Sequence, residues 1–115
     1  MALKVEMVTF DCTEPTELAA WWAQQFDGEV RELMPGEFVV VVRDEGPTLG
    51  FQRVPDPTPG KTRIHLDFST PDVEAEVARL VAAGAKETGR HSMGENFRWV
   101  VLDDPAGNAF CVAGR

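Results

Sequence analysis

Apolar and polar residues alternate along most of this chain in short runs, and a helical stripe interrupts the alternation twice. Residues 4–11 alternate with period two and predict a strand, with Val8 and Phe10 on one side and Met7, Thr9 and Asp11 on the other. Glu14-Pro15 then opens a helix, with Thr13 or Glu14 near the N-cap and Pro15 at a tolerated first position. Leu18, Trp21, Trp22 and Phe26 form its apolar stripe, and Gly28 is the expected stop. A short strand at 29–33 follows, then the turn Met34-Pro35-Gly36 and the β-branched run 38–43. Asp44-Glu45-Gly46-Pro47 turns the chain into a further strand at 49–54.

The same order then recurs. Residues 55–61 (PDPTPGK) hold three prolines and a glycine, which forbid a helix and disfavour a central strand. A strand at 63–69 puts Arg63, His65, Asp67 and Ser69 on one face and Ile64, Leu66 and Phe68 on the other. Residues 72–83 predict a helix with Val73, Val77, Leu80 and Val81 inward and Gly84 as its stop. A short strand at 86–89, a polar loop at 90–96 read as a plain solvated loop, with a lid as the alternative, and strands at 97–102 and 109–113 complete the pattern. The last two are joined by Asp103-Asp104-Pro105-Ala106-Gly107-Asn108, where proline presets φ and Gly and Asn accept positive φ.

Two stretches repeat in sequence as well as in pattern. VTFDCTE at 8–14 is answered by LDFSTPD at 66–72, so that Phe10 and Phe68, and Glu14 and Asp72, stand 58 apart. Gly50-Phe51-Gln52 is answered by Ala109-Phe110-Cys111, 59 apart. Two copies indicate a duplicated supersecondary unit rather than a solenoid. The reading is an α+β protein of two tandem βαβββ modules forming a cup-shaped mixed sheet with the helices outside. It divides a single domain, 1–115, into module one at 1–54, a linker at 55–61 and module two at 62–115. A fused pair of half-domains is expected to build its cleft where equivalent strands face each other.

Composition narrows the function. With 115 residues the chain suffices for one domain with a modest core. Its net charge of −8 is spread along the chain, which argues against nucleic acid and against an anionic membrane surface, both of which call for clustered cations. No apolar run reaches the roughly 20 residues of a membrane span, and MALKVEM lacks a signal peptide's apolar stretch. Cys12 and Cys111 form neither a disulfide framework nor a metal-type spacing, and are expected to be reduced thiols of a cytoplasmic protein.

Three motifs together carry a family resemblance. Asp104-Pro105-Ala106-Gly107-Asn108-Ala109-Phe110 resembles the "DP-x-GN" turn of the vicinal oxygen chelate superfamily, the glyoxalase/bleomycin-resistance/dioxygenase group. Asp11-Cys12-Thr13-Glu14-Pro15 with Leu18-Ala19-Ala20-Trp21-Trp22 is a second motif. Leu49-Gly50-Phe51-Gln52-Arg53-Val54-Pro55, with Ile64-His65-Leu66-Asp67-Phe68, is similar to a small glyoxalase-like subgroup. The resemblance covers nearly the whole chain and implies the cupped fold and a homodimer. It leaves activity open, because one fold hosts isomerases, lyases, dioxygenases and non-catalytic drug binders.

The resemblance also says where a metal would sit. Family enzymes place ligands on the first and last strand of each unit, which here fall at Met7, His65, Gln52 and Cys111. Only His65 fits the usual His or Glu; Met7 is a poor ligand for a divalent metal, Gln52 a weak donor, and no carboxylate occupies the four positions. The expected state is therefore without a metal cofactor. The alternative is zinc, nickel, manganese or iron held by His65 with Gln52 and Cys111.

The residues expected to line a ligand cleft are Met7, Thr9, Gln52, His65, Asp67, Trp99 and Cys111. His65 reads as a cleft histidine hydrogen-bonded to Asp67 or Gln52. Asp67 is a candidate to orient it, although two residues along a strand lie about 7 Å apart. One of Arg98 and Trp99 faces the concavity. A one-residue slip in the alignment of Gln52 and Cys111 would turn both toward the helices. The leading functional reading is a binder of a small organic molecule. A metal-dependent glyoxalase-like lyase or isomerase is the alternative, and a non-catalytic interaction module the third.

Overall fold

A computed structural model describes residues 5–59 and 65–114. Lys4 of the first expected strand, Gly60 and Lys61 of the linker, and Arg63 and Ile64 of the fifth lie outside the described residues. The elements are β1 (Met7–Cys12), α1 (Pro15–Phe26), β2 (Glu29–Met34), β3 (Phe38–Val42) and β4 (Thr48–Arg53), then β5 (Leu66–Thr70), α2 (Val73–Ala82), β6 (Lys86–Met93), β7 (Phe97–Asp103) and β8 (Ala109–Gly114). They form two compact units, residues 1–58 and 59–115. Each holds one four-stranded sheet, in the orders β1-β4-β3-β2 and β5-β8-β7-β6. In each sheet the first and last strands of the unit pair in parallel and the remaining pairs are antiparallel. The α+β duplication legible in the sequence is the fold.

In the first unit, alternation on β1 turns Val8, Phe10 and Cys12 toward α1 and leaves Met7, Thr9 and Asp11 exposed. Phe10 stacks on Phe51 at 4.9 Å and meets Trp22 of α1 at 5.6 Å. Val39, Val41, Leu49 and Phe51 are fully buried beneath the helix. Of the expected helical stripe, Leu18 and Trp22 are buried, whereas Trp21 and Phe26 are only half-buried. Ala19 and Ala23 complete the buried face because their small side chains let the helix approach the sheet.

The stop of α1 differs from the expectation. Asp27, not Gly28, takes the left-handed conformation, with φ of 53°. Gly28 serves a close approach instead: a Cβ there would lie 2.6 Å from Val41 Cγ1.

In the second unit, Asp72 caps α2 by accepting a hydrogen bond from Ala75 N at 3.1 Å. Val77 and Leu80 are buried against the sheet, and Gly84 takes the expected positive φ. Val81, expected inward, is 45% exposed, because the narrow stripe of a ten-residue helix on a small sheet ends at Leu80.

The expected loop at 90–96 is mostly strand. β6 runs on to Met93, with an irregularity in register between Glu87 and Gly89, and only the turn at Gly94 separates it from β7. Arg90 anchors the extension by bonding Glu74 of α2 at 2.6 Å and Glu87 at 2.8 Å. Arg90 thereby holds the Glu87 carboxyl below the usual carboxylate range.

The turn into β8 is locked by a group the sequence reading did not single out. Asp104, buried at 3% exposure, accepts from Ala106 N and Asn108 N, each at 2.9 Å, and from Asn108 Nδ2. Three donors compensate one buried carboxylate.

The two units differ in the register of their parallel strand pair. In the first, Phe10 pairs with Phe51 and Asp11 with Gln52. The sequence offsets would then put Phe68 beside Phe110 and Ser69 beside Cys111. Instead Leu66 pairs with Phe110 and Asp67 with Cys111. The slip is two residues, so every side chain keeps its face.

Candidate functional site

Each sheet has one face packed on its helix and one that carries no helix of its own unit. Strand pairing fixes which residues share the helix-free face. In the second unit these are Asp67 and Ser69 on β5, Ala109, Cys111 and Ala113 on β8, Phe97, Trp99, Val101 and Asp103 on β7, and Lys86, Gly89 and His91 on β6. The opposite face holds Phe68, Phe110, Val112, Val100 and Leu102, the core beneath α2.

His65 immediately precedes β5 and continues its alternation onto the helix-free face. Its Nδ1 lies 3.2 Å from Asp67 Oδ1 and 3.7 Å from Cys111 Sγ. The His65 side chain is 40% exposed and that of Asp67 72%, while Cys111 is buried. The contact between His65 and Asp67 forms despite the strand rise, because both side chains lean toward Cys111. The register slip is what puts Asp67 beside Cys111: with the register of the first unit, Ser69 would stand there.

Both contacts fall on the same ring nitrogen. A nucleophile–histidine–carboxylate relay needs the thiol on one nitrogen and the carboxylate on the other. Cys111, His65 and Asp67 are not arranged as such a relay.

The same convergence suits a metal ion. One donor atom from each of the three residues lies within 4.8 Å of the others. An imidazole nitrogen, a thiolate and a carboxylate form a donor set for zinc-like ions, whose tetrahedral edges would be roughly 3.3–3.6 Å from typical bond lengths. The 3.2 and 3.7 Å separations bracket that range. Asp67 is the carboxylate that the four strand positions lacked.

Of the other expected cleft residues, Trp99 lies on the same face, packed between His91 at 5.4 Å and Phe97 at 5.5 Å. Met7, Thr9 and Gln52 lie on the helix-free face of the first unit. Met7 and Thr9 close over Gly50, where a Cβ would fall 2.8 Å from Met7 Sδ and 3.1 Å from Thr9 Oγ1. Gln52 is exposed beside Asp11. Neither Gln52 nor Cys111 is turned to its helix.

Between the rim at His65 and the rim at Trp99 and His91, the floor of the second sheet is made of small side chains, Ala109, Cys111, Val101 and Gly89. A hollow of about 530 Å³ lies over Gly89, Val101 and Ala109, with Thr88, His91 and Asp103 as its polar lining. His91 and Asp103 were missed in the sequence because 90–96 read as a loop and Asp103 as part of a turn. The usable signal was the alternation of Trp99, Val101 and Asp103 against Val100 and Leu102. A second hollow, of about 550 Å³, involves α2, with Glu74, Arg90 and Arg98 among its lining, and there Arg90 and Glu74 bond each other.

A family model described as a glyoxalase-like domain matches residues 7–113, nearly the whole chain. The chain belongs to the glyoxalase-like domain family. Its fold is that of solved structures from the glyoxalase/bleomycin resistance/dioxygenase group, which the duplicated modules resemble. Solved structures of the superfamily share this glyoxalase-like fold. A family enzyme from Burkholderia phytofirmans PsJN superposes with a TM-score of 0.80 at 19% identity, covering 97% of this chain and 98% of its own. The lactoylglutathione lyase of Agrobacterium tumefaciens gives 0.72 at 16% identity, covering 99% and 95%. The fosfomycin resistance protein FosX of Listeria monocytogenes gives 0.80 at 14% identity, covering 100% and 95%. At these identities the likeness is one of fold. No curated protein matches the sequence.

Proposed function

We propose that this glyoxalase-like protein binds a small organic molecule on the helix-free face of its second sheet. The observation that carries the reading is the floor of small side chains flanked by polar and aromatic groups. Alanine, glycine, valine and cysteine leave room for a ligand, and His65 with Asp67 on one side and Trp99 with His91 on the other give it polar and flat contacts. His65 and Asp67 act as paired donor and acceptor, and the exposed carboxylate fixes which way the imidazole is turned.

A second reading is favoured by the three converging donors. Here His65, Asp67 and Cys111 hold a divalent ion, which when bound would polarise a carbonyl oxygen of the ligand. The chain's own part in that case is to supply two anionic donors and one neutral donor on neighbouring strands.

One experiment separates the two. Protein stripped with chelator, wild type and His65→Ala, is incubated with zinc, nickel, manganese or iron(II), freed of excess ion and assayed for bound metal. The same samples are screened against small organic molecules by thermal shift. Ligands that raise the melting temperature of the stripped wild type support metal-free binding, since a ligand selective for the folded state stabilises it by mass action. Near-stoichiometric metal lost in His65→Ala, with ligand response only after loading, favours the second reading. A flat thermal response in stripped and loaded protein alike overturns both.

A further inference from the structure

The hollow over Gly89 is separate from the His65 cluster and has chemistry of its own. Its lining comes from β6, β7 and the turn into β8: Thr88, whose hydroxyl bonds the Val101 carbonyl, with Gly89, His91, Val101, Asp103, Gly107 and Ala109. Three features converge there.

The first is the missing side chain at Gly89. Gly89 follows directly on the irregularity in β6 and pairs with Val101. A Cβ on it would lie 3.2 Å from His91 Nε2, so the imidazole leans back over Gly89 and its tip reaches the floor. Irregularities of this kind often re-aim a side chain beside a functional site.

The second is Asp103. Its side chain is half-buried on the same face, opposite Ala109. Among the described residues its carboxylate has neither a hydrogen bond nor an ion pair. Lys86 stands opposite it in the β6–β7 ladder, yet no ion pair joins them. By contrast Asp104, the next residue, has its carboxylate filled with donors. A half-buried carboxylate without a partner gains from a cationic or strongly donating group brought to it.

The third is charge. The chain carries 19 acidic against 11 basic residues, so its field draws cations and repels anions. Arg90 and Arg98 fall on the helix side of this sheet by alternation, which keeps both guanidinium groups off this floor.

We propose that this hollow is an amine-binding subsite: a protonated amine of a small organic ligand pairs with Asp103, its carbon frame lies on Val101 and Ala109, and the His91 ring, backed by Trp99 at 5.4 Å, closes one side. This rests on the small-molecule reading above and adds the ligand class, an organic cation.

The test uses the full chain, labelled with ¹⁵N, and benzylamine as the probe, with benzyl alcohol and benzoate as its neutral and anionic counterparts. Amide shifts are followed during titration of wild type and of Asp103→Asn, which keeps shape and removes charge. The expected result is benzylamine shifts confined to Gly89, His91, Val101, Asp103 and Gly107, with affinity at least about tenfold weaker in Asp103→Asn and weakened by added salt. Benzyl alcohol or benzoate binding there as well as benzylamine would overturn the cation preference while leaving small-molecule binding intact. Shifts confined to His65, Asp67 and Cys111 would overturn the subsite and leave the His65 cluster as the binding centre. No shift with any probe would overturn the proposal, whereas the broader reading stands or falls on the thermal screen. His91→Gln is the second variant: it retains the fold's ladder pairing and should weaken benzylamine less than Asp103→Asn does.

Discussion

Gly28 shows how a single position is fixed by what stands opposite it. The residue needs no left-handed φ, since Asp27 supplies that. It is glycine because Val41 Cγ1 and the Val42 carbonyl occupy the space of a side chain, at 2.6 and 3.2 Å from a Cβ. Val41 is wholly buried and cannot step aside cheaply. Gly28→Ala is therefore expected to cost about 1–3 kcal/mol, read as a lower urea midpoint with an unchanged slope. A change below about 0.5 kcal/mol would show that α1 shifts freely on its sheet. The sequence marked Gly28 as a helix end, and its amide does bond the Ala23 carbonyl there, but the reason it is glycine was not legible, because a steric neighbour 13 positions away leaves no local signal. The side of the sheet that His65 takes was legible from alternation alone. The contact of His65 with Cys111 was not, since it depends on how β5 and β8 slide past each other.

At the scale of elements, periodicity proved a better guide to which faces are buried than to where elements stop. Val8 and Phe10 against Met7 and Thr9, and Val100 and Leu102 against Trp99 and Val101, follow the two-residue rule. The boundary errors arose where polar residues sit inside regular structure. Arg90, His91 and Ser92 read as loop, yet pairing with Val100, Trp99 and Arg98 extends β6 through them. Cross-strand partners outweigh local composition in a hairpin. On α2 the apolar stripe was read one residue too wide. Leu80, at 4% exposure, and Val81, at 45%, are adjacent in sequence and opposite in environment. Leu80→Ala should cost about 2–4 kcal/mol, whereas Val81→Ala should stay within about 0.5 kcal/mol of wild type. Denaturation of the two variants side by side checks this, and equal losses would mean that α2 is rotated from the position described.

At the scale of the whole molecule, the excess of acids sets the response to salt. The exposed ion pairs, such as Arg31–Glu29 and Arg53–Glu37, are weak and lose strength in salt. With 19 acids against 11 bases, however, repulsion outnumbers attraction. Raising sodium chloride from about 20 to 500 mM shortens the Debye length severalfold, and the melting temperature is expected to rise. A fall would mean that the ion pairs dominate. No helix among the described residues is long and apolar enough to cross a membrane.

The two-residue slip between the units has a consequence for how such proteins change over time. A strand inside a half-covered sheet can be re-seated only in even steps, because an odd step would turn its core inside out. Divergence after duplication is then digital rather than gradual. One jump re-deals every neighbour along a ladder while the amino acids stay as they were. In this chain the re-dealing set Asp67 beside Cys111 and within reach of His65, where the first unit carries Met7, Thr9 and Gln52 at the corresponding positions.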